Sequence, residues 1–129
     1  MAEPKSGIMA GKRGLIMGVA NDRSLAWGIA QAIAAQGGEI AFSFQGEALE
    51  KRVRPLAESL GADFLIECDV ADPASMDAAF ATLAARWPTI DFVVHAIGFS
   101  DKNELRGRYV DTSIENFAMT MNISVFSFT

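Results

Sequence analysis

Gly14-Leu15-Ile16-Met17-Gly18-Val19-Ala20-Asn21-Asp22-Arg23-Ser24-Leu25-Ala26-Trp27-Gly28 is the stretch on which the fold of this chain turns. An apolar run ends at Gly18, a polar loop follows, and Ser24 opens an amphipathic segment. The pattern predicts a strand, a tight turn and a helix start. Such a start offers unpaired backbone N–H groups and the positive end of a dipole, both suited to an anion such as a pyrophosphate. The spacing departs from the G-x-G-x-x-G fingerprint, which would need glycine where Ala20 and Arg23 stand. Gly18 can still take the turn, and Ser24 can cap the helix and aim its hydroxyl at a phosphate. Gly28 can let helix and strand approach closely. An ordinary strand–helix loop with a serine N-cap accounts for the same residues, so both readings stand on this stretch alone.

Before it, residues 1–12 are polar, with Pro4 and two glycines, and are expected to be a loose lead-in to a domain over 13–129. The first strand is Arg13 to Met17. The first helix runs from Ser24 to about Gln36, with Leu25, Ile29, Ala32 and Ile33 on its inner face and Gly37-Gly38 as its stop. Ile40 to Phe44 reads as a second strand. A second helix, about Glu47 to Leu60, presents Leu49, Val53, Leu56 and Leu60 inward, and Pro55 predicts a kink or break. Asp63 to Cys68 reads as a third strand. Asp72 caps a third helix with Pro73 at its first position and Met76, Ala79, Phe80 and Leu83 inside. Ile90 to Ala96 makes a fourth strand.

Fourfold strand–helix alternation predicts an α/β fold, a doubly wound, Rossmann-like parallel sheet in the order 3-2-1-4. Ligands in such sheets bind just past the carboxyl ends of the strands. Here those positions are Gly18 to Ser24, Gln45, Asp69-Val70 and Ile97 to Ser100. A polar segment follows to Val110. Thr112-Ser113-Ile114-Glu115 then fits a capping box, and Phe117, Met121, Val125 and Phe128 mark a helical stripe. No stop signal follows that stripe, so the chain reads as the N-terminal part of a longer domain, interrupted in its last helix.

The 129 residues are half apolar and carry a net charge of −5, with no basic stripe, which argues against nucleic acid. Lys51-Arg52-Val53-Arg54 lies among Glu47, Glu50 and Glu58, as a solvated helix face would; contact with a cofactor 2′-phosphate is the other reading. Cys68 is the single cysteine, so no internal disulfide forms. Apolar runs are too short to span a bilayer, and a cytoplasmic protein with no membrane partner is expected. One histidine, His95, makes no metal site, and its place in the fourth strand suits a core imidazole.

Taken together, four motifs carry a resemblance. Gly18 to Gly28, Phe42-Ser43-Phe44-Gln45, Cys68-Asp69-Val70 and His95-Ala96-Ile97-Gly98-Phe99 resemble the NADH-dependent enoyl-acyl-carrier-protein reductases of bacterial type II fatty-acid synthesis. That family is a divergent branch of the short-chain dehydrogenase/reductases. The likeness covers about residues 11–129 and about the first half of a family member. It implies NADH as cofactor in preference to NADPH, an acyl-carrier protein as the partner bearing the enoyl substrate, and a homotetramer. It also implies a site. Gly18, Val19 and Ala20 would lie under the pyrophosphate, with Ser24 and Leu25 on the phosphates. Gln45 would take the ribose 2′-hydroxyl, Asp69 the adenine amino group, and Val70 the ring. Ala96, Ile97 and Gly98 would line the nicotinamide ribose, and Phe99 and Ser100 the acyl site. A turn or helix-entry carboxylate is the plain alternative for Asp69.

The family's catalytic motif is a tyrosine, six residues, then a lysine. The one tyrosine, Tyr109, has Asn116 at that distance, so no catalytic pair lies in these 129 residues. Two other functions remain open. Another short-chain reductase would show a serine and a Tyr-x-x-x-Lys spacing, and a non-catalytic dinucleotide-binding half-domain would bind NADH with no chemistry.

Overall fold

The computed structural model describes residues 6–129. The lead-in expected over residues 1–5 lies outside them. Four strands, β1 (Arg13–Met17), β2 (Glu39–Phe44), β3 (Phe64–Glu67) and β4 (Phe92–His95), form one parallel sheet in the order β3-β2-β1-β4. Three helices connect them: α1 (Leu25–Ala35), α2 (Gly46–Ser59) and α3 (Pro73–Arg86). This is the doubly wound order that the alternation predicts. By contacts the chain divides into two compact units, one ending at Ala96 and one spanning Ile97–Thr129.

In the first unit the two central strands are covered most completely. Leu15, Ile16 and Met17 of β1, and Ala41 and Phe42 of β2, are buried, as their unbroken apolar sequence requires of strands with neighbours on both sides. Trp27 lies against Phe42 with ring centroids 6.5 Å apart. The inner face of α1 is only partly the predicted one: Ile33 packs against the core, but Ala32 is exposed. Ala26, Trp27 and Ala30 are buried, whereas Leu25 and Ile29 are exposed. The sequence of α1 is apolar nearly all round, so periodicity cannot choose a face. Small Ala26 and Ala30 can sit close to the sheet, and bulkier Leu25 and Ile29 are turned away. Gly28 does not serve close packing either, because a Cβ there would meet nothing within 4 Å.

The helix α2 is continuous through Pro55, with Val53 and Ala57 buried. The break expected at Pro55 does not occur, and Pro55 is exposed. Asp72 caps α3 by accepting from the Ala74 N–H at 3.0 Å, with Pro73 at the first position as predicted. Phe80, expected inside, is partly exposed, while Ala79 and Leu83 are buried. Residues 7–12 are not loose. The Met9 N–H donates to Gln36 O at 2.9 Å and the Glu39 N–H to Lys12 O at 2.9 Å, which ties the lead-in to the end of α1 and the start of β2.

The second unit contains α4 (Ile114–Ser124) and three short 3₁₀ turns, Lys102–Glu104, Tyr109–Asp111 and Phe126–Phe128. The predicted capping box is displaced by one residue. Ser113, not Thr112, is the N-cap and accepts from the Asn116 N–H at 3.1 Å. The glutamate that reaches back is Glu104, whose two oxygens accept from the Ser113 N–H at 2.7 Å and the Ser113 hydroxyl at 2.8 Å. The helix also ends at Ser124, before Val125 and Phe128, and the stripe of Phe117, Met121, Val125 and Phe128 is exposed. Among the described residues no helix is long and apolar enough to cross a membrane.

Candidate dinucleotide-binding site

Parallel pairing sets the candidate residues of the first unit along one edge. Met17 pairs with His95 and Phe44 with Glu67, so the strands finish in step. The ladders extend one residue further, through the Ala96 N–H to Met17 O at 3.1 Å and the Cys68 N–H to Phe44 O at 2.8 Å. Gly18, Gln45, Asp69-Val70 and Ala96 thus stand just past the carboxyl ends of the four strands. Ile97, Gly98, Phe99 and Ser100 follow as the start of the second unit.

Gly18 is required where it stands. Its φ is +107°, and a Cβ would fall 2.1 Å from the carbonyl oxygen of Ala96. A side chain there would collide with β4 and strain the backbone. Val19 turns its side chain into the core, so only its backbone faces the loop.

Ser24 holds the loop rather than the helix. It occupies the N-cap position, yet its side chain makes no bond to the first turn of α1. Its hydroxyl oxygen instead accepts from the N–H groups of Ala20 at 3.0 Å and Asn21 at 3.2 Å. A hydroxyl has two lone pairs and one proton. With both lone pairs engaged, Ser24 can act outward only as a donor, which suits a phosphate oxygen. The Leu25 and Ala26 N–H groups at the start of α1 likewise find no acceptor in the Ser24 side chain and stay available to an anion, whereas those of Trp27 and Gly28 donate to the Ser24 carbonyl at 3.0 and 3.3 Å.

Gln45 is exposed at the head of α2 and makes no cap bond to it, leaving its amide available to a hydroxyl. Asp69 is half-buried and does the turn work foreseen as its alternative role. Its Oδ1 accepts from the Ala71 N–H at 2.9 Å, while its own N–H donates to the Ser75 hydroxyl at 2.9 Å. Such anchoring fixes the carboxylate without consuming its second oxygen. Burial, then the Asp69 charge, push the Cys68 thiol up, so it stays protonated near neutrality and is no nucleophile. Its sulfur lies 3.4 Å from the Met76 sulfur.

The basic cluster of α2 is a solvated face. Lys51 pairs with Glu47 at 3.1 Å, Arg54 pairs with Glu50, and Val53 between them is buried. Tyr109 is exposed, and Asn116, seven residues on, is buried. Among the described residues no cluster of three His, Cys, Asp or Glu could hold a metal ion. A recess at the opposite, amino ends of β2 and β3, lined by Gly38, Leu60, Asp63, Arg86 and Trp87, carries none of the candidate residues.

In the second unit, Phe99 is exposed, and Ser100 belongs to a hydrogen-bonded group with Asn116 and Thr120 of α4. The apolar stripe drew sequence reasoning away from these residues. The signal that could have found them is the spacing of Asn116, Thr120 and Ser124, three polar residues one turn apart.

Comparison with known proteins gives a consistent picture. The profile of the enoyl-(acyl carrier protein) reductase family matches residues 18–129. A Rhizobium meliloti protein named enoyl-[acyl-carrier-protein] reductase [NADH] 2 is 63% identical over 124 residues, covering 96% of this chain and 46% of that relative. FabI from Candidatus Liberibacter asiaticus superposes with a TM-score of 0.93 at 58% identity, over 95% of this chain and 48% of that one. An enoyl-(acyl-carrier-protein) reductase from Anaplasma phagocytophilum, solved in complex with NAD, superposes with a TM-score of 0.92 at 56% identity, over 98% and 48%. The chain spans about half the length of the curated relatives it matches.

Proposed function

This chain belongs to the enoyl-(acyl carrier protein) reductase family, and on that premise we propose that it forms the dinucleotide-binding part of an NADH-dependent enzyme. The enzyme reduces a trans-2-enoyl thioester on an acyl-carrier protein to the saturated acyl thioester. One observation carries the reading: the Gly18–Ser24 turn, where the approach of Ala96 excludes a side chain and Ser24 is left only a proton to offer. NADH supplies the hydride when bound.

The protein's share is to hold and orient. Gly18, Val19 and Ala20 give the backbone under the pyrophosphate, and Ser24 and Leu25 donate to it from the loop and helix start. Gln45 takes the ribose hydroxyl, and Asp69 and Val70 the adenine. Ala96, Ile97 and Gly98 line the nicotinamide ribose, and Phe99 and Ser100 border the acyl chain. Tyr109 has no lysine at the family spacing, so the tyrosine that stabilises the enolate oxygen, and the lysine that holds the ribose, are assigned to residues outside these 129. A homotetramer in the cytoplasm is the assembly and location we propose with this activity, to be checked by light scattering and cell fractionation.

The test is kinetic. The full-length protein should consume one NADH per trans-2-enoyl thioester, and failure to do so overturns the reading. Ser24→Glu should weaken NADH binding at least about ten-fold, through like charge beside phosphate, while the fold persists. Unchanged NADH affinity in that variant would remove Ser24 from the site.

A further inference from the structure

Three polar side chains one helical turn apart on α4 reach the same short segment of chain. The Ser124 hydroxyl accepts from the Phe99 N–H at 3.0 Å and donates to the Phe99 carbonyl at 3.3 Å. Asn116 accepts from the Asp101 N–H at 3.0 Å through Oδ1. A backbone N–H can only donate, so this contact orients the amide and leaves Nδ2 to donate to the Ser100 hydroxyl at 3.1 Å. The Thr120 hydroxyl lies 3.1 Å from the same Ser100 oxygen and 3.4 Å from Asn116 Oδ1.

The helix is turned opposite to the usual sense. Asn116 is buried at 8% exposure, while Phe117, its neighbour in sequence, is 54% exposed. Polar groups face the 99–101 segment, which keeps both Phe99 backbone groups and the Ser100 side chain in fixed places. The Asp101 carboxylate continues the arrangement by accepting from the Asn103 N–H at 2.9 Å.

We propose that Asn116, Thr120 and Ser124 are positioning residues that set the wall of the acyl site by fixing Phe99 and Ser100. This rests on the function proposed above, which puts Phe99 and Ser100 beside the acyl chain. None of the three touches substrate in this proposal; they act through the segment they hold.

Steady-state kinetics of the full-length enzyme test it. Ser124→Ala frees the Phe99 backbone and should raise KM for the enoyl thioester about ten-fold, the size of one or two lost hydrogen bonds, with KM for NADH and kcat within about two-fold. Ser124→Thr keeps the hydroxyl and should restore KM. Asn116→Leu should act in the same direction, and Asn116→Asp, which keeps an acceptor for the Asp101 N–H, should act less. An unchanged thioester KM in Ser124→Ala overturns the inference, as does a joint loss of kcat and both KM values that Ser124→Thr fails to rescue. Should Asn116→Leu not fold, Ser124→Ala and its rescue decide. A wild-type enzyme that oxidises no NADH with an enoyl thioester fails the proposed function itself, and this inference falls with it. An active wild type with an unaffected Ser124→Ala variant fails this inference alone.

Discussion

At the scale of single residues, a positive φ has a different cost according to what stands nearby. Gly18 and Gly61 both have positive φ, +107° and +75°, but a Cβ on Gly61 would meet nothing within 4 Å, whereas one on Gly18 would strike the Ala96 carbonyl. Gly61→Ala should therefore cost about 1 kcal/mol, from backbone strain alone. Gly18→Ala should cost about 3 kcal/mol, because β4 must also shift. Urea denaturation of the two variants measures the difference. Equal losses would show that the Ala96 carbonyl yields freely. Ser24 illustrates the same dependence on surroundings: an N-cap by position, it spends its oxygen on Ala20 and Asn21 instead.

At the scale of elements, one connection between a helix end and a strand start responds to pH. Arg86, in the last turn of α3, bonds Asp63 just before β3 at 2.8 Å and lies over the Phe64 ring, 4.5 Å from its centroid. The hydrogen bond from Arg86, and then its charge, hold the Asp63 carboxyl below the ordinary value of 3.8. The unfolded chain thus binds that proton more readily than the folded one. The stability from the pair is complete above pH 3.8 and is lost as pH falls through the lower folded value. Asp63→Asn should lower neutral stability only slightly, since the pair is exposed, and should flatten the loss below pH 3.8 by the same small amount. Denaturation midpoints against pH give the answer, and an undiminished acid slope would place the titrating carboxylate elsewhere. Sequence reasoning located α3 and its Asp72 cap, because those signals are local. It misplaced the cap of α4 because the glutamate that completes it, Glu104, lies 9 residues before Ser113, outside the span of a local capping box.

For the whole molecule, burial is concentrated in the first unit. Leu15 to Met17 and Ala41 to Phe42 lie within paired, covered strands, while Ile114, Phe117, Val125, Phe126 and Phe128 of the second unit are exposed. Local stability follows buried apolar contact. Amide exchange in this 129-residue chain should be slowest in β1 and β2 and at least about ten-fold faster over residues 97–129. Comparable protection throughout would mean that the second unit draws its stability from more than its own helix and turns.

The strand and helix sequence, the sheet order and the row of residues at the strand tips were legible in the sequence. They follow from short-range patterns: unbroken apolar runs, caps, glycine stops, and a crossover handedness that leaves little choice of topology. The face of α1 was not legible, since an all-round apolar helix gives periodicity nothing to select and the size of Ala26 and Ala30 matters only against a sheet. Nor was the hold of Asn116, Thr120 and Ser124 on Phe99 and Ser100, or of Ser24 on its own loop. Hydrogen-bond partners are chosen by distance in space, and only the folded chain brings those donors and acceptors within reach.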